Sequence, residues 1–297
     1  MYLKRRKAST DPRLRSLLQK AVRRGFSSIV ERVVRSLDAI GDSTWLRSRA
    51  VVITFEECWL LGSRLRLDRN VASKLDILAA VARSTKQKDA AGLGALAHAF
   101  REGDGSMLAL VPDQRSLRIV AEALERPDDF FRWVANESQS YDSARVIAAA
   151  RAYLPVATWE WDKACILAGA LCAAHYGTRP VDVAGPTPQG DFPYWVALDK
   201  HTDEGKAVLR QVAREMKVGY RQLIWTSFYC ESARVNDLLI SPWFEAEREW
   251  RLARAKLSYE QAQNLWSRAK GLVRERLEVK ATELKSFVES GHTEWSI

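Results

Sequence analysis

The residues that usually carry catalysis are scarce in this chain. It has four histidines, His98, His175, His201 and His292, and none stands in H-x-x-x-H or H-E-x-x-H spacing. The common zinc signatures are therefore missing. It has four cysteines, Cys58, Cys165, Cys172 and Cys230, and no C-x-x-C pair. Cys165 and Cys172, seven residues apart on one helical stretch, would stand about 10 Å apart, too far for a disulfide. Four reduced thiols in a reducing compartment are the expectation. There is no G-x-x-x-x-G-K-[ST], no G-x-G-x-x-G and no G-x-S-x-G. An ATP cradle, a dinucleotide fold and a hydrolase elbow are not indicated, and no cofactor is expected.

Other shortages bear on architecture. Fifteen Gly and nine Pro in 297 residues are too few for a many-turned β-sandwich or barrel. The longest apolar stretches, such as 164–174, fall short of the ~20 residues that span a bilayer. The amino end, MYLKRRKAST, has charge but no apolar run behind it, so it does not read as a signal peptide. A cytoplasmic protein without membrane contact is expected.

What is present is helical periodicity. Hydrophobic residues make up 47% and charged residues 28%, and eleven Trp can fill a sizeable core. Leu14, Leu17, Leu18, Ala21 and Val22 form one stripe, started by Asp11-Pro12 and stopped by Gly25. Ile29, Val30, Val33, Val34 and Leu37 repeat it up to Gly41-Asp42, giving a hairpin whose outer face carries Arg and Lys. The β-branched run 51–55 has strand propensity, but with no partner strand in view the segment 45–62 reads as a buried helix. Further helices are expected near 75–82, 90–101, 115–125, 128–138, 142–153, 158–176, 203–216 and 218–240. Residues 177–193, with four Pro and three Gly, are the clearest break. They divide an amino-terminal helical domain (1–176) from a carboxy-terminal helical region (194–297). From Trp243 to about Glu289 the pattern is one long helix or two antiparallel ones, with Gly271 as the weak point. Trp243, Trp250 and Leu257 recur every seven residues, and Leu265, Leu272 and Val279 do so in a shifted register, as a packing or oligomer surface would. The fold class is all-α, a multi-helix bundle.

The net charge of +9 sits at one end. Residues 1–70 hold sixteen Lys and Arg against seven Asp and Glu, and the rest of the chain is balanced. A local basic excess suits a polyanion, because neutralised phosphates release counterions. The candidate nucleic-acid contacts are Lys4, Arg5, Arg6, Lys7, Arg23, Arg24, Arg47 and Arg49, with Arg13, Arg15, Lys20, Arg32 and Arg35 nearby. A solvated helix face or an acidic protein partner would read the same way.

Three smaller constellations remain open. Asp199, Lys200 and His201 are the densest polar cluster, a weak candidate for a metal or acid–base site with Glu56-Glu57 as further carboxylates. Neighbours on a helix point about 100° apart, so the alternative is that Asp199 or Thr202 caps the following helix. In the stretch 158–163, TWEWDK, either Thr158 caps a helix with a core Trp159 or Trp161, or one Trp faces solvent and stacks a base. Ala91-Gly92-Leu93-Gly94 is either a phosphate-binding glycine hairpin or a plain helical turn.

One resemblance is present. Ser16-Leu-Leu-Gln-Lys-Ala-Val-Arg-Arg-Gly25, Ser36-Leu-Asp-Ala-Ile-Gly-Asp42 and Trp45-Leu-Arg-Ser-Arg-Ala-Val-Val-Ile-Thr-Phe-Glu-Glu57 together resemble part of the carboxy-terminal region of the MgsA/RarA proteins, clamp-loader-like AAA+ ATPases of replication-fork maintenance. Ser48 here splits an arginine pair that is adjacent in that family. The resemblance spans residues 14–62 and does not extend to the ATPase core. It implies a collar-like helical module that makes oligomer contacts and is linked to replication or repair; it does not imply ATP hydrolysis. Taken together, the expected function is a non-enzymatic, DNA-associated accessory subunit. The alternatives are a protein-interaction subunit and a metal-dependent nucleic-acid enzyme centred on Asp199 and His201.

Overall fold

A computed structural model describes residues 10–66, 70–138, 140–177, 188 and 190–290. Among them are thirteen α-helices and no strand. The first four are α1 (Pro12–Arg23), α2 (Ser27–Ala39), α3 (Ser43–Cys58) and α4 (Val71–Arg83). Asp11 caps α1 by accepting from Arg13 N–H, and Pro12 occupies the first turn, where its missing N–H costs nothing. The run 51–55 lies inside α3, buried along its whole length. A stretch buried on all sides selects for apolar bulk, and here that overrides strand propensity.

Then come α5 (Asp89–Arg101), α6 (Gln114–Ala123), α7 (Pro127–Asn136), α8 (Tyr141–Tyr153) and α9 (Glu160–Tyr176). The pair α5 and α9 is central; α6 and α8 flank it. The Ala-Gly-Leu-Gly stretch is a plain part of α5, and its glycines are there for contact. A Cβ on Gly92 would lie 2.3 Å from the backbone of Trp243, and one on Gly94 would lie 2.6 Å from the Cys165 amide. Both helices can therefore approach α5 to backbone distance.

The carboxy-terminal part holds α10 (Asp203–Glu215), α11 (Tyr220–Ser227), α12 (Pro242–Ala253) and α13 (Tyr259–Ser290). The helix expected over 218–240 is shorter: α11 ends in a π-helical turn, Phe228–Ser232, and irregular chain follows. The segment from Trp243 onward is two helices, but the break is not at Gly271, which lies inside α13. It falls at 254–258, where Lys256 takes φ 58° and Ser258 and Gln261 cap each other's backbone N–H. That S-x-x-Q box was a readable start signal. The seven-residue register of Leu265, Leu272 and Val279 is not the packed one. Ala262, Trp266, Ala269, Val273 and Leu277 are buried, and Val279 is 70% exposed. A straight helix, at about 3.6 residues per turn, drifts about 20° per heptad, so a strict seven-residue register turns away from the buried stripe.

Most of the break at 177–193 lies outside the described residues. Side chains from both sides of it share one hydrophobic core: Leu14, Phe55, Leu167, Trp195, Trp250 and Leu277 belong to the same cluster. All four cysteines are free, three of them buried. No described helix is long and apolar enough to cross a membrane.

The glycine contacts generate opposed expectations. Gly94→Ala forces a backbone shift between α5 and α9 and should cost about 1–3 kcal/mol, lowering Tm by several degrees. Gly271→Ala meets nothing within 4 Å in a helix interior and should raise stability by about 0.5–1 kcal/mol. Thermal unfolding of the two variants checks both signs.

Candidate functional site

Part of the amino-terminal charge is spent inside the fold. Arg23 and Arg24, expected at a phosphate surface, are 3% and 6% exposed. Arg23 donates to Glu57 at 2.7 Å, to Glu56 at 2.8 Å and to the Ser232 carbonyl at 3.0 Å. Arg24 donates to the Glu231 carbonyl and carboxylate at 2.8 and 2.9 Å. Arg15 forks onto Asp42 with two 2.7 Å bonds. Lys20 meets Asp199 at 2.7 Å. Arg13, Arg32 and Arg35 have Asp11, Glu289 and Glu31 within 4.0 Å. Arg47 is exposed on α3, while Arg49, two residues on, faces the interior and pairs with Asp162 at 2.9 Å. Lys4, Arg5, Arg6 and Lys7 lie outside the described residues.

Behind these pairs the structure opens a cleft of about 670 Å³, within the range of ligand pockets. Its walls come from α1, α3, α9, α11 and α12, and from the turn before α10. Seven Lys and Arg line it (Arg15, Lys20, Arg23, Arg49, Lys88, Lys200 and Arg251) against three carboxylates, Glu56, Asp162 and Glu247. Six Trp and Phe side chains share the lining. Trp159, at the rim, is 72% exposed, and Trp161 is half-buried. So Trp159, not Thr158, holds the cap position of α9, and it offers its ring to solvent. Trp195, by contrast, is core, stacked on Trp266.

The floor is an ion network. Glu57, 1% exposed, sits between Arg23 and Lys88, the latter at 3.0 Å. Glu56 faces the cleft with Arg23, Lys88 and Arg49 around it. Burial works against its charge, but Lys88, Arg23 and Arg49 outweigh it and bring its pKa down to about 2.

The Asp199-Lys200-His201 cluster is brought to the cleft, but its members diverge. Thr202 caps α10 through Gly205 N–H, and its own hydroxyl and amide return to the Asp199 carbonyl. That turn sends the Asp199 carboxylate inward, where it meets Lys20 and the His201 ring nitrogen Nδ1, at 2.9 Å. Burial would raise this carboxyl, but Lys20 and His201 hold it well below the ordinary carboxylate range. For His201 the desolvating surroundings lower the pKa and Asp199 opposes them. Among the described residues no three His, Cys, Asp or Glu side chains are grouped to hold a metal ion.

The opposite wall was legible only in part. Arg251 lies over the rings of Trp161, Trp225 and Trp250 at 4.5–4.9 Å, with Glu247 at 3.4 Å. Lys200 Nζ lies 3.9 Å above Trp225 and 4.1 Å above Phe228. Phe228 opens the π-helical turn, a feature often found at functional sites. Trp161 and Lys200 belong to stretches that stand out in the sequence, but residues 161, 200, 225, 228 and 251 have no shared spacing, and nothing local marks Trp225, Phe228 or Arg251.

Comparison with protein families, with curated proteins and with solved structures finds no match for this chain.

Two stability measurements test the floor. Glu57→Gln leaves Arg23 and Lys88 short of charge in the interior and should cost about 3–5 kcal/mol. Glu56 has a folded-state pKa below its unfolded one, so its contribution is complete above about pH 4.5 and lost as pH falls towards 2. The wild-type protein should therefore exceed Glu56→Gln in urea midpoint at pH 6, and the gap should close on acidification. A gap independent of pH over that window contradicts the assignment.

Proposed function

We propose that this chain is a DNA-associated helical accessory module that takes hold of single-stranded nucleic acid at the cleft. The observation that carries the reading is the joining of Trp45, Trp159, Trp161 and Trp225 with Arg15, Arg49, Lys200 and Arg251 around one opening. Rings offer stacking to any base, and cations meet the backbone phosphates. A cleft of this volume accepts one or two unstacked nucleotides and excludes a duplex. Direct contact is thereby assigned to the cleft rim, with Arg47 on the neighbouring outer face, instead of to Arg23 and Arg24.

The wider role is part of the same proposal. The resemblance of residues 14–62 to the collar region of the MgsA/RarA proteins supports work in a replication or repair complex and contacts with other subunits. The scarcity of catalytic motifs supports an accessory part in it.

Titration with a short oligonucleotide, followed by intrinsic Trp fluorescence, tests this. Single strands should quench the signal, with affinity falling as salt rises by about 0.7 log unit per log unit of salt for each phosphate neutralised. Trp159→Ala, at an exposed rim position, should leave Tm unchanged and weaken binding by about 1–3 kcal/mol, roughly five- to 150-fold. Absence of binding at low salt, or preference for duplex, overturns the reading.

A further inference from the structure

The cleft contains one cation that the ion network does not use. Three lysines line it: Lys20 is met by Asp199, Lys88 by Glu57, and Lys200 by no carboxylate among the described residues. The adjacent carboxylate, Asp199, is turned inward and held by Lys20 and His201. Lys200 Nζ instead rests against the rings of Trp225 and Phe228, at the open cavity. An amine held in an apolar, cation-flanked setting with its approach unblocked is the arrangement that makes lysine a nucleophile toward carbonyl carbon.

We propose that Lys200 forms a reversible imine with an aldehyde or ketone that carries a phosphate group, the phosphate being held by Arg15, Arg49 or Arg251. The Nζ lone pair attacks the carbonyl carbon, a C–N bond forms, and the carbonyl oxygen takes up a proton. The carbinolamine then expels that oxygen as water while nitrogen gives up its remaining surplus proton, leaving C=N. Hydrolysis reverses the step, so no oxidant, reductant or metal enters the balance.

The charges facing Lys200 are divided, and burial decides the direction. Burial lowers its pKa first; Arg251 and Lys20 push the same way, Asp199 and Glu247 oppose them, and the result is about 7. The ring faces of Trp225 and Phe228 favour the ammonium and work against the shift. Near pH 7 about half of such side chains are free amine, against roughly one in 2,500 for an ordinary exposed lysine.

Two sources supply this chemistry: a free phosphorylated aldehyde, or the ring-opened sugar of an abasic nucleotide within a strand. The second rests on the single-strand reading above; the first does not. The full-length protein is incubated with glyceraldehyde 3-phosphate in one arm and an abasic single-stranded oligonucleotide in the other. Cyanoborohydride then fixes any imine as a secondary amine for peptide mass spectrometry. The expected result in at least one arm is an adduct on Lys200 at least about tenfold faster than on any other lysine, half-maximal near pH 7. It should be lost in Lys200→Gln and in Lys200→Arg, with the Arg variant keeping the charge and an unchanged Tm. Labelling by the small aldehyde alone assigns the site to a free phosphate ester and removes the strand as its substrate. Labelling by the oligonucleotide alone assigns it to nucleic acid. Adducts spread evenly over the lysines, a midpoint above about pH 9, or undiminished labelling in Lys200→Arg overturn the proposal. So does absence of adduct in both arms, even where unmodified single strands bind.

Discussion

Glu57 is one carboxylate between two cations, and all three side chains are at most 4% exposed. Its partners belong to different parts of the chain: Arg23 ends α1, and Lys88 immediately precedes α5. Arg23 also donates to the carbonyl of Ser232, in the π-helical turn on the far side of the cleft. One buried charge cluster therefore fixes the amino-terminal helices, the central pair and the α11 end relative to each other. Surface pairs such as Arg132–Asp129 contribute nothing comparable, because water already solvates both partners. In the interior, loss of any one member leaves the others charged and desolvated, and that penalty is what makes the arrangement specific.

The same cluster shapes what the cleft can bind. Its floor is close to neutral, since Lys20, Arg23 and Lys88 each have a carboxylate at 2.7–3.0 Å. An anion entering the cleft gains little by competing for them. The side chains with attraction to spare are at the wall and rim. Arg251 is sandwiched among indoles with Glu247 at 3.4 Å, and Lys200 sits on two ring faces without a carboxylate among the described residues. Aromatic rings hold both cations in place without neutralising them. A ligand with a flat ring and a phosphate suits that wall better than a simple polyanion does.

Position in the fold also explains why the two walls can face each other. Gly92 and Gly94 bring the backbones of α12 and α9 against α5, and both of those helices carry cleft residues, Arg251 and Glu247 on one, Trp161 and Asp162 on the other. A wider spacing would separate Arg251 from Trp161, now 4.8 Å apart. Close packing of the central helices and the stacking geometry of the site are therefore one constraint.

The amino-acid sequence by itself determined much of the local structure: most of the helices, the caps Asp11 and Thr202, the buried course of 51–55 and the absence of the familiar nucleotide motifs. Those follow from periodicity and short-range hydrogen bonds, which a reader can count along the chain. It misled where a strict heptad was read into α13, because 3.5 and 3.6 residues per turn diverge over three turns. Only the tertiary structure decided the fate of the charges. The surplus in residues 1–70 looks like a surface patch, yet Lys20, Arg24 and Arg49 find their carboxylates at Asp199, Glu231 and Asp162. Local net charge cannot register partners more than a hundred residues away. For the same reason the wall of Lys200, Trp225, Phe228 and Arg251 left no spacing to find: it exists because helices distant in sequence converge, and electrostatics and stacking depend on distance in space.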